Sequence, residues 1–281
     1  MREEGRGGPR AIPLTETVGA EVVGADLHDL LEAPDFPTWC LSTLEAHGVL
    51  VFRGLHLDDA SQTAFSRRLG KVEVFGQGEF PEIFRVTLDP EKNPAAPYLR
   101  GTFDWHIDGL TDDVPIMATL LCAHEVSADG GETEFASSYE AFESLTGEEK
   151  ERCLGLRVVH SLEASQRRIQ PNPSEAELAM WRSRPEKEHP LVWRHRSGRR
   201  SLVLGATASH VVGMEEGQSR ALLDGLLDHS TAPGRVYRHR WTVGDLVLWD
   251  NRGVLHRALP YDASSGRDMH RTTLHGDEAI Q

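Results

Sequence analysis

Trp105-His106-Ile107-Asp108 is the stretch from which the fold and the chemistry of this 281-residue chain are best predicted. On a β-strand, successive side chains point to opposite faces, so the two-residue spacing places His106 and Asp108 on one face. An imidazole nitrogen and a carboxylate oxygen then point at the same place. A second histidine from far along the chain would complete a 2-His-1-carboxylate face, which suits ferrous iron and leaves coordination positions open.

An isolated His-x-Asp pair is a weak signal in a chain with 14 His and 44 Asp and Glu residues, and its alternative interpretation is an exposed histidine beside a turn aspartate. His256 is the predicted third ligand, because it follows the apolar run 246–249, which is typical of a buried strand. Rival histidines lack a second candidate ligand at matching spacing, and packing or surface positions are predicted for them. They are His160, His210, His239 and His270.

The composition bounds the classes of partner. A hydrophobic content of 39% and a charged content of 26% are ordinary for a globular protein. A net charge of −14 argues against nucleic acid, because phosphate binding needs a basic surface. No apolar run is long enough to cross a bilayer, so no membrane partner is predicted. Three scattered cysteines argue for a reducing, cytoplasmic location rather than a disulfide framework.

Residues 1–10 lack an apolar core and are predicted to be a disordered lead-in. Residues 11–281 are predicted to form one domain, because barrels and sandwiches reach this length as single units. Within that domain, residues 163–189 are polar, charged and interrupted by three prolines. A segment of this length between strands predicts a lid insertion over the functional site.

Short apolar strands with Gly-rich turns, flanked by helices near the start and one late in the chain, predict a mainly β fold with flanking helices. The expected architecture is a double-stranded β-helix, that is, a cupin-like jelly roll. Buried strands are predicted at 49–52, 115–124, 246–249 and 269–274. Helices are predicted at 36–46, with Asp35 as its cap, and at 58–69 and 218–229. Residues 89–98 are predicted to be a loop at the mouth of the site.

Five segments, in this order, resemble the TauD/TfdA (taurine dioxygenase-like) family of Fe(II)- and 2-oxoglutarate-dependent dioxygenases. The resemblance extends over about residues 14–277, and its motifs are specific as a set. The segments are residues 105–108, Gly-Gly-Glu-Thr-Glu-Phe at 130–135, Gly-Asp-Leu-Val-Leu-Trp-Asp-Asn-Arg at 244–252, His256, and Arg-Asp-Met-His-Arg-Thr-Thr at 267–273.

The resemblance implies that His106, Asp108 and His256 are the catalytic iron ligands. It also implies that Arg267, with the hydroxyl of Thr133, binds the far carboxylate of the co-substrate 2-oxoglutarate, where a bidentate guanidinium is needed. The alternative for Arg267 is an exposed charge in a polar loop. The implied reaction uses O2, releases succinate and carbon dioxide, and hydroxylates a substrate C–H bond. Cleavage follows where the hydroxylated carbon carries a heteroatom.

The resemblance also bears on the substrate. Arg271 matches an arginine that meets the substrate anion in taurine-type relatives, and its alternative is a second structural arginine near 2-oxoglutarate. Thr102 stands where those relatives carry Asn, and Phe75 lies near the expected position of a substrate-binding His. Small residues at 205–209 replace an Asn and two Phe, which predicts a cavity that is either wider or filled by residues from elsewhere. A carboxylate- or sulfonate-bearing small molecule other than taurine is therefore predicted.

Alternative functions stay open at the level of sequence. Within the oxygenase class, they are an aryloxyalkanoate-type oxygenase and a tailoring hydroxylase of a biosynthetic intermediate. From another class, the alternative is a non-redox metal-binding jelly roll, such as a hydrolase or a sensor. A degenerate structural relative is a further alternative, and the complete ligand triad argues against it. Apolar area on the early helices permits a homo-oligomer.

Overall fold

The structure is a computed structural model that describes residues 8–281. Within those residues the chain forms fifteen β-strands and nine α-helices. The strands are β1 (Arg10–Pro13), β2 (Ala20–Val23), β3 (Val49–Phe52), β4 (Phe84–Val86), β5 (Ala118–Glu125), β6 (Thr133–Ser137), β7 (Arg157–His160), β8 (Lys187–Pro190), β9 (Val192–Arg194), β10 (Arg200–Leu202), β11 (Ala208–Val211), β12 (Val236–His239), β13 (Leu246–Asp250), β14 (Val254–Ala258) and β15 (Asp268–Leu274). The helices are α1 (Leu27–Leu31), α2 (Phe36–His47), α3 (Asp59–Leu69), α4 (Ala96–Leu99), α5 (Ser138–Glu143), α6 (Gly147–Leu154), α7 (Leu162–Ile169), α8 (Glu175–Arg182) and α9 (Glu216–Ser230).

The strands form several antiparallel sheets in a mixed α/β fold. The largest sheet has seven strands in the order β1-β2-β3-β13-β5-β15-β4, with one parallel pair, β2 and β3. Two three-stranded sheets have the orders β12-β6-β14 and β11-β7-β8, and β9 pairs with β10. The predicted double-stranded β-helix stays a prediction within this broader architecture.

The middle of the seven-stranded sheet is buried on both faces, which explains why its strands are continuous apolar runs. On one face, Leu120 and Leu248 pack with helices α1, α2 and α3. On the other face, Leu121, Val247 and Trp249 form a separate apolar cluster. The strands predicted at 49–52, 115–124, 246–249 and 269–274 are β3, β5, β13 and β15, and the predicted helices are α2, α3 and α9.

Several expectations about local structure need correction. Arg10 belongs to β1, where it pairs with Val23, so the disordered lead-in does not extend to residue 10; residues 1–7 of that prediction lie outside the described residues. Asp35 precedes α2 but makes no side-chain capping hydrogen bond. The predicted loop 89–98 contains the start of α4, and a 3₁₀ turn, Arg100–Phe103, follows it.

The predicted lid, residues 163–189, folds as α7, α8 and the start of β8. Capping explains both helices: Ser161 accepts a hydrogen bond from the backbone of Ala164, and Ser174 forms a reciprocal capping box with Glu177. A role of this segment as a lid stays a prediction. None of the helices in residues 8–281 has the length and apolarity needed to cross a bilayer.

Candidate active site

The backbones of His106 and His256 pair directly and bring two predicted ligands together. His256 lies in β14, and an isolated antiparallel bridge joins it to His106. Each residue donates its backbone N–H to the carbonyl of the other, at 3.0 and 2.9 Å. Their ring centroids are 4.2 Å apart. The two imidazoles are therefore positioned by main-chain hydrogen bonds rather than by flexible side-chain contacts.

Asp108 reaches the same point from a turn, not from a strand. Of the two ligands, only His106 takes part in the backbone bridge to His256, and Asp108 belongs to the turn that follows. The prediction that both residues lie on one strand was therefore wrong about local structure. The turn still places one carboxylate oxygen 3.8 Å from Nε2 of His106 and the other 3.7 Å from Nε2 of His256. One donor atom from each of the three residues lies within 4.8 Å of the other two.

Gly205 makes room for this arrangement. Its φ of +119° lies in a region that side chains rarely adopt, and a Cβ there would lie 2.9 Å from both the His106 Cα and the Trp105 carbonyl oxygen. The neighbouring Ala206 donates its backbone N–H to the same carbonyl, at 2.7 Å. None of the small residues at 205–209 lines the cavity, whose walls come from other elements. At Gly205 the small residue instead lets another loop approach the histidine backbone.

A chain of hydrogen bonds supports the Asp108 carboxylate. Trp249 Nε1 donates to Asn251 Oδ1 at 3.1 Å, and Asn251 Nδ2 donates to Thr119 Oγ1 at 2.8 Å. The Thr119 hydroxyl is then free to donate, and its hydrogen bond to Asp108 lowers the pKa of that carboxyl. Asn251 therefore acts on the aspartate through Thr119. Thr119 was missed because it lies inside an unbroken apolar strand.

His256 and Asp108 have the protonation states that a divalent transition metal requires of its ligands. Burial lowers the pKa of His256 to about 3, so its imidazole is neutral at physiological pH. Burial alone would raise the pKa of the Asp108 carboxyl, but its neighbours, among them His256 and the cationic Arg271, outweigh burial, and the net pKa is lowered. His106 Nδ1 is bonded to the Asp104 carbonyl at 2.8 Å, which leaves Nε2 free to ligate. These residues fit ferrous iron.

A cavity opens in front of the triad, between the seven-stranded sheet and the sheet that contains β6 and β14. Seven of the eight predicted site residues line it, and Phe75 does not. The lining residues are Val86, Leu99, Thr102, His106, Asp108, Leu121, Thr133, Trp249, His256, Ala258, Tyr261, Arg267 and Arg271.

Arg267 is buried, at 3% exposure, and presents an unsatisfied cation to the cavity. Among residues 8–281 no carboxylate forms an ion pair with it; it bonds the Tyr261 hydroxyl, and its Cζ lies 4.7 Å from that ring centroid. Thr133 Oγ1 accepts from Trp241 Nε1 at 3.0 Å, so its hydrogen remains available for a ligand. A buried guanidinium without a counter-ion is costly, and a bound carboxylate removes that cost. This arrangement fits the far carboxylate of 2-oxoglutarate.

Arg271 enters the same cavity from β15. Its Nη1 lies 3.8 Å from Oδ2 of Asp108, and its buried Nε has no hydrogen-bond partner within residues 8–281. The rings of Phe84 and Phe75 lie 4.7 and 5.6 Å from its Cζ. Phe75 therefore contacts the arginine instead of the cavity. Thr102 lines the cavity, but its hydroxyl donates to the Leu99 carbonyl at 2.7 Å and caps the adjoining turn.

The rival histidines separate into two groups. His160 and His239 are fully buried and His210 is exposed, and none of the three joins a potential metal cluster in the described residues. His270, for which a packing or surface position was predicted, meets Asp59 and His124 in a second cluster of potential ligands. Spacing could not reveal it, because the three residues come from three separate elements. Tyr261 and Trp241 were missed for the same reason.

A 2-His-1-carboxylate triad beside a buried arginine, between antiparallel sheets, defines a non-haem iron, 2-oxo-acid-dependent class of oxygenase. The family described as taurine catabolism dioxygenase TauD, TfdA family matches residues 10–273, and the chain belongs to it.

Individual relatives are similar over most of their length. The chain is 36% identical to an alpha-ketoglutarate-dependent 2,4-dichlorophenoxyacetate dioxygenase from Burkholderia sp. (strain RASC), with 83% of each chain covered. It is 34% identical to an (S)-phenoxypropionate/alpha-ketoglutarate-dioxygenase from Sphingobium herbicidovorans, with 96% of each covered. A crystal structure of AAD-2 with Mn(II) and N-oxalylglycine superposes with a TM-score of 0.82 at 30% identity, with 98% of this chain and 100% of that chain covered.

Family membership decides between the classes of function that the sequence left open. The chain is a 2-oxoglutarate-dependent dioxygenase, and its cofactors are Fe(II) and 2-oxoglutarate. The non-redox hydrolase or sensor is therefore rejected, and so is the degenerate structural relative.

Proposed function

We propose that this dioxygenase hydroxylates a monoanionic small molecule with an apolar body, of the aryloxyalkanoate type, and releases succinate and carbon dioxide. The observation that carries the proposal is Arg271. Its guanidinium enters a cavity whose other walls include Val86, Leu99 and Leu121, and its Nε has no hydrogen-bond partner in the described part of the chain. A substrate carboxylate would satisfy this donor, while an aromatic body would pack against the apolar walls.

The charges around the cavity support a monoanion. Arg267 and Arg271 each carry one positive charge, a ferrous ion carries two, and Asp108 takes one away. The 2-oxoglutarate dianion neutralises two of the three that remain. One positive charge is left, and a singly charged substrate balances it. A neutral substrate would leave a partly buried guanidinium without a counter-ion.

The iron supplies the activation of O2 when it and 2-oxoglutarate are bound. The residues of this chain hold the reactants. Arg267 and Thr133 would fix the far carboxylate of 2-oxoglutarate, and Arg271 would hold the substrate carboxylate near the triad. Proximity of the substrate C–H bond to the metal decides which carbon is hydroxylated. Hydroxylation of the ether carbon of an aryloxyalkanoate gives a hemiacetal, which breaks down to a phenol and an oxo-acid.

The relatives named above support this substrate class over taurine, since two of them are named for 2,4-dichlorophenoxyacetate and (S)-phenoxypropionate. A tailoring hydroxylase remains the second candidate from the sequence. The broad apolar wall of Trp249, Tyr261 and Leu121 is compatible with it, but nothing in the cavity favours it specifically.

The test has two parts. First, anaerobic protein receives Fe(II) and then 2-oxoglutarate, and the visible spectrum is recorded for the wild type, His106→Ala and Arg267→Ala. We expect a weak absorption band in the wild type that His106→Ala abolishes and Arg267→Ala weakens. No band in the wild type would contradict the predicted site residues.

Second, succinate formation is compared for phenoxyacetate, its neutral amide, and taurine. We expect phenoxyacetate to be preferred, with a phenol as product. Equal turnover of the amide and of phenoxyacetate would contradict the anion-binding role of Arg271. A preference for taurine would reject the aryloxyalkanoate class.

A further inference from the structure

A second group of potential metal ligands lies on the helix side of the seven-stranded sheet. We call it the outer cluster; it consists of Asp59, His124 and His270. Asp59 begins α3, His124 is in β5 and His270 is in β15. One donor atom from each residue lies within 4.8 Å of the other two, the same limit that the active-site triad meets.

The two imidazoles of the outer cluster are in direct contact. The rings of His124 and His270 stack with centroids 3.7 Å apart and planes at 22°. His270 Nδ1 lies 2.5 Å from Oδ1 of Asp59. His124 Nε2 is buried and has no hydrogen-bond partner among residues 8–281. An orphaned imidazole nitrogen beside a second imidazole and a carboxylate is what a shared cation would explain, because buried polar groups normally have partners.

The charges around the outer cluster suit a cation. Asp268 lies 3.8 Å from His270 Nε2, but Arg85 and Lys92 already pair with that carboxylate. Asp59 is therefore the carboxylate left to meet an ion. Its side chain is 30% exposed, whereas the His270 side chain is 12% exposed. An ion could thus reach the histidines from solvent through the carboxylate.

We propose that the outer cluster binds a divalent transition metal ion of the Zn²⁺ type, separate from the active-site iron. Two imidazoles and a carboxylate are ligands that Zn²⁺ takes at about 2.0–2.2 Å, with water at the remaining position. The nitrogen donors select against Mg²⁺ and Ca²⁺, which prefer oxygen. Modest side-chain rotations would bring the donors to these distances. The competing interpretation is a metal-free network in which His270 donates to Asp59.

An ion at the outer cluster would join α3 to β5 and β15. His270 is followed by Arg271, whose side chain points to the opposite face, into the active-site cavity. The ion would therefore stabilise the strand that carries the proposed substrate-binding arginine. It would do so without touching the substrate.

The test counts zinc in a chain whose active site cannot hold it. The background variant is full-length, tag-free protein with His106→Ala and His256→Ala. Zn²⁺ binding is measured by equilibrium dialysis with elemental analysis, and thermal melting is recorded with and without Zn²⁺. We expect the background variant to bind one Zn²⁺ per chain and to melt at a higher temperature with Zn²⁺. Adding His124→Gln should abolish both effects, while adding His210→Gln, an exposed control, should abolish neither.

Two outcomes would overturn the proposal. The background variant could bind no Zn²⁺, which would establish the metal-free network. Alternatively, zinc could bind equally with and without His124→Gln, which would place it elsewhere. If His124→Gln fails to fold, Asp59→Asn removes the partly exposed carboxylate instead and must lower the affinity for Zn²⁺. An anomalous difference map at the zinc edge of crystals of the background variant must show its peak between these three side chains.

Discussion

The active-site triad and the outer cluster contain the same ligand types and lie on opposite faces of one sheet. Both use two histidines and one aspartate. The triad faces a cavity that two arginines and apolar side chains also line. The outer cluster opens towards solvent at Asp59. Arg85, the arginine beside the outer cluster, is already paired with Asp268. The donor set by itself therefore does not define an oxygenase; the two arginines and the cavity beside it do.

Removing a triad ligand should have the largest effect. We expect His106→Ala to lower turnover by roughly 10³-fold or more, because a metal ion contributes several kcal/mol to the barrier reduction. His124→Gln in the outer cluster is the matched control, and we expect it to change turnover by no more than about twofold. The measurement is succinate formation at saturating Fe(II). A comparable loss in both variants would erase the distinction between the two clusters.

The next largest effect concerns Arg267, whose charge has no carboxylate partner within residues 8–281, unlike the arginine beside the outer cluster. Arg267→Ala should weaken 2-oxoglutarate binding by about 10- to 150-fold, the equivalent of a lost charge-assisted hydrogen bond. Arg267→Lys keeps the charge but loses the bidentate geometry of the guanidinium, so we expect only part of the 2-oxoglutarate affinity to be retained. Anaerobic titration of the visible band with 2-oxoglutarate gives the affinity. An unchanged affinity for 2-oxoglutarate in Arg267→Ala would show that Arg267 does not bind its far carboxylate.

A substitution of Arg271 distinguishes the two roles that the sequence left open for it: binding of the substrate anion, or a structural position near 2-oxoglutarate. We expect Arg271→Gln to raise KM for phenoxyacetate by roughly 10-fold or more, since it removes a hydrogen bond to a charged group. The affinity for 2-oxoglutarate should stay the same. The reverse pattern would make Arg271 a second residue for the co-substrate. Steady-state kinetics with each reactant varied in turn provides the answer.

The smallest effect separates burial from ligation at a histidine outside both clusters. Burial lowers the pKa of His160 to about 3, and its unfolded value is near 6.5. Between these values only the unfolded chain binds the proton, so stability is present above pH 6.5 and is lost as pH falls towards 3. Between pH 7 and pH 5, protonation of this histidine in the unfolded chain should lower the free energy of unfolding by about 2 kcal/mol.

His160→Gln should remove that part of the pH dependence. Urea unfolding of the wild type and the variant at pH 7 and pH 5 gives the difference in free energy. His210→Gln, at an exposed histidine, is the control and should leave the pH dependence intact. Parallel profiles for wild type and His160→Gln would show that His160 is protonated in the folded protein.

Much of the fold followed from local patterns. The strands β3, β5, β13 and β15 were predictable because continuous apolar runs of this length are typical of strands buried on both faces. The helix α3 was predictable from its capping aspartate and its closing glycine. The helices of residues 163–189 were not predicted, because their polar composition and prolines outweighed the capping residues that begin them.

The sequence by itself determined the chemical types and the order of the site residues: His106, Asp108, Thr133, His256 and Arg267. The tertiary structure decided how they meet. Asp108 reaches the histidines from a turn, His106 and His256 pair through their backbones, and Gly205 lets its loop approach the His106 backbone. It also decided that His270 has partners. The physical reason is that donor chemistry belongs to single residues, whereas convergence depends on strand register and on contacts between elements far apart in the chain.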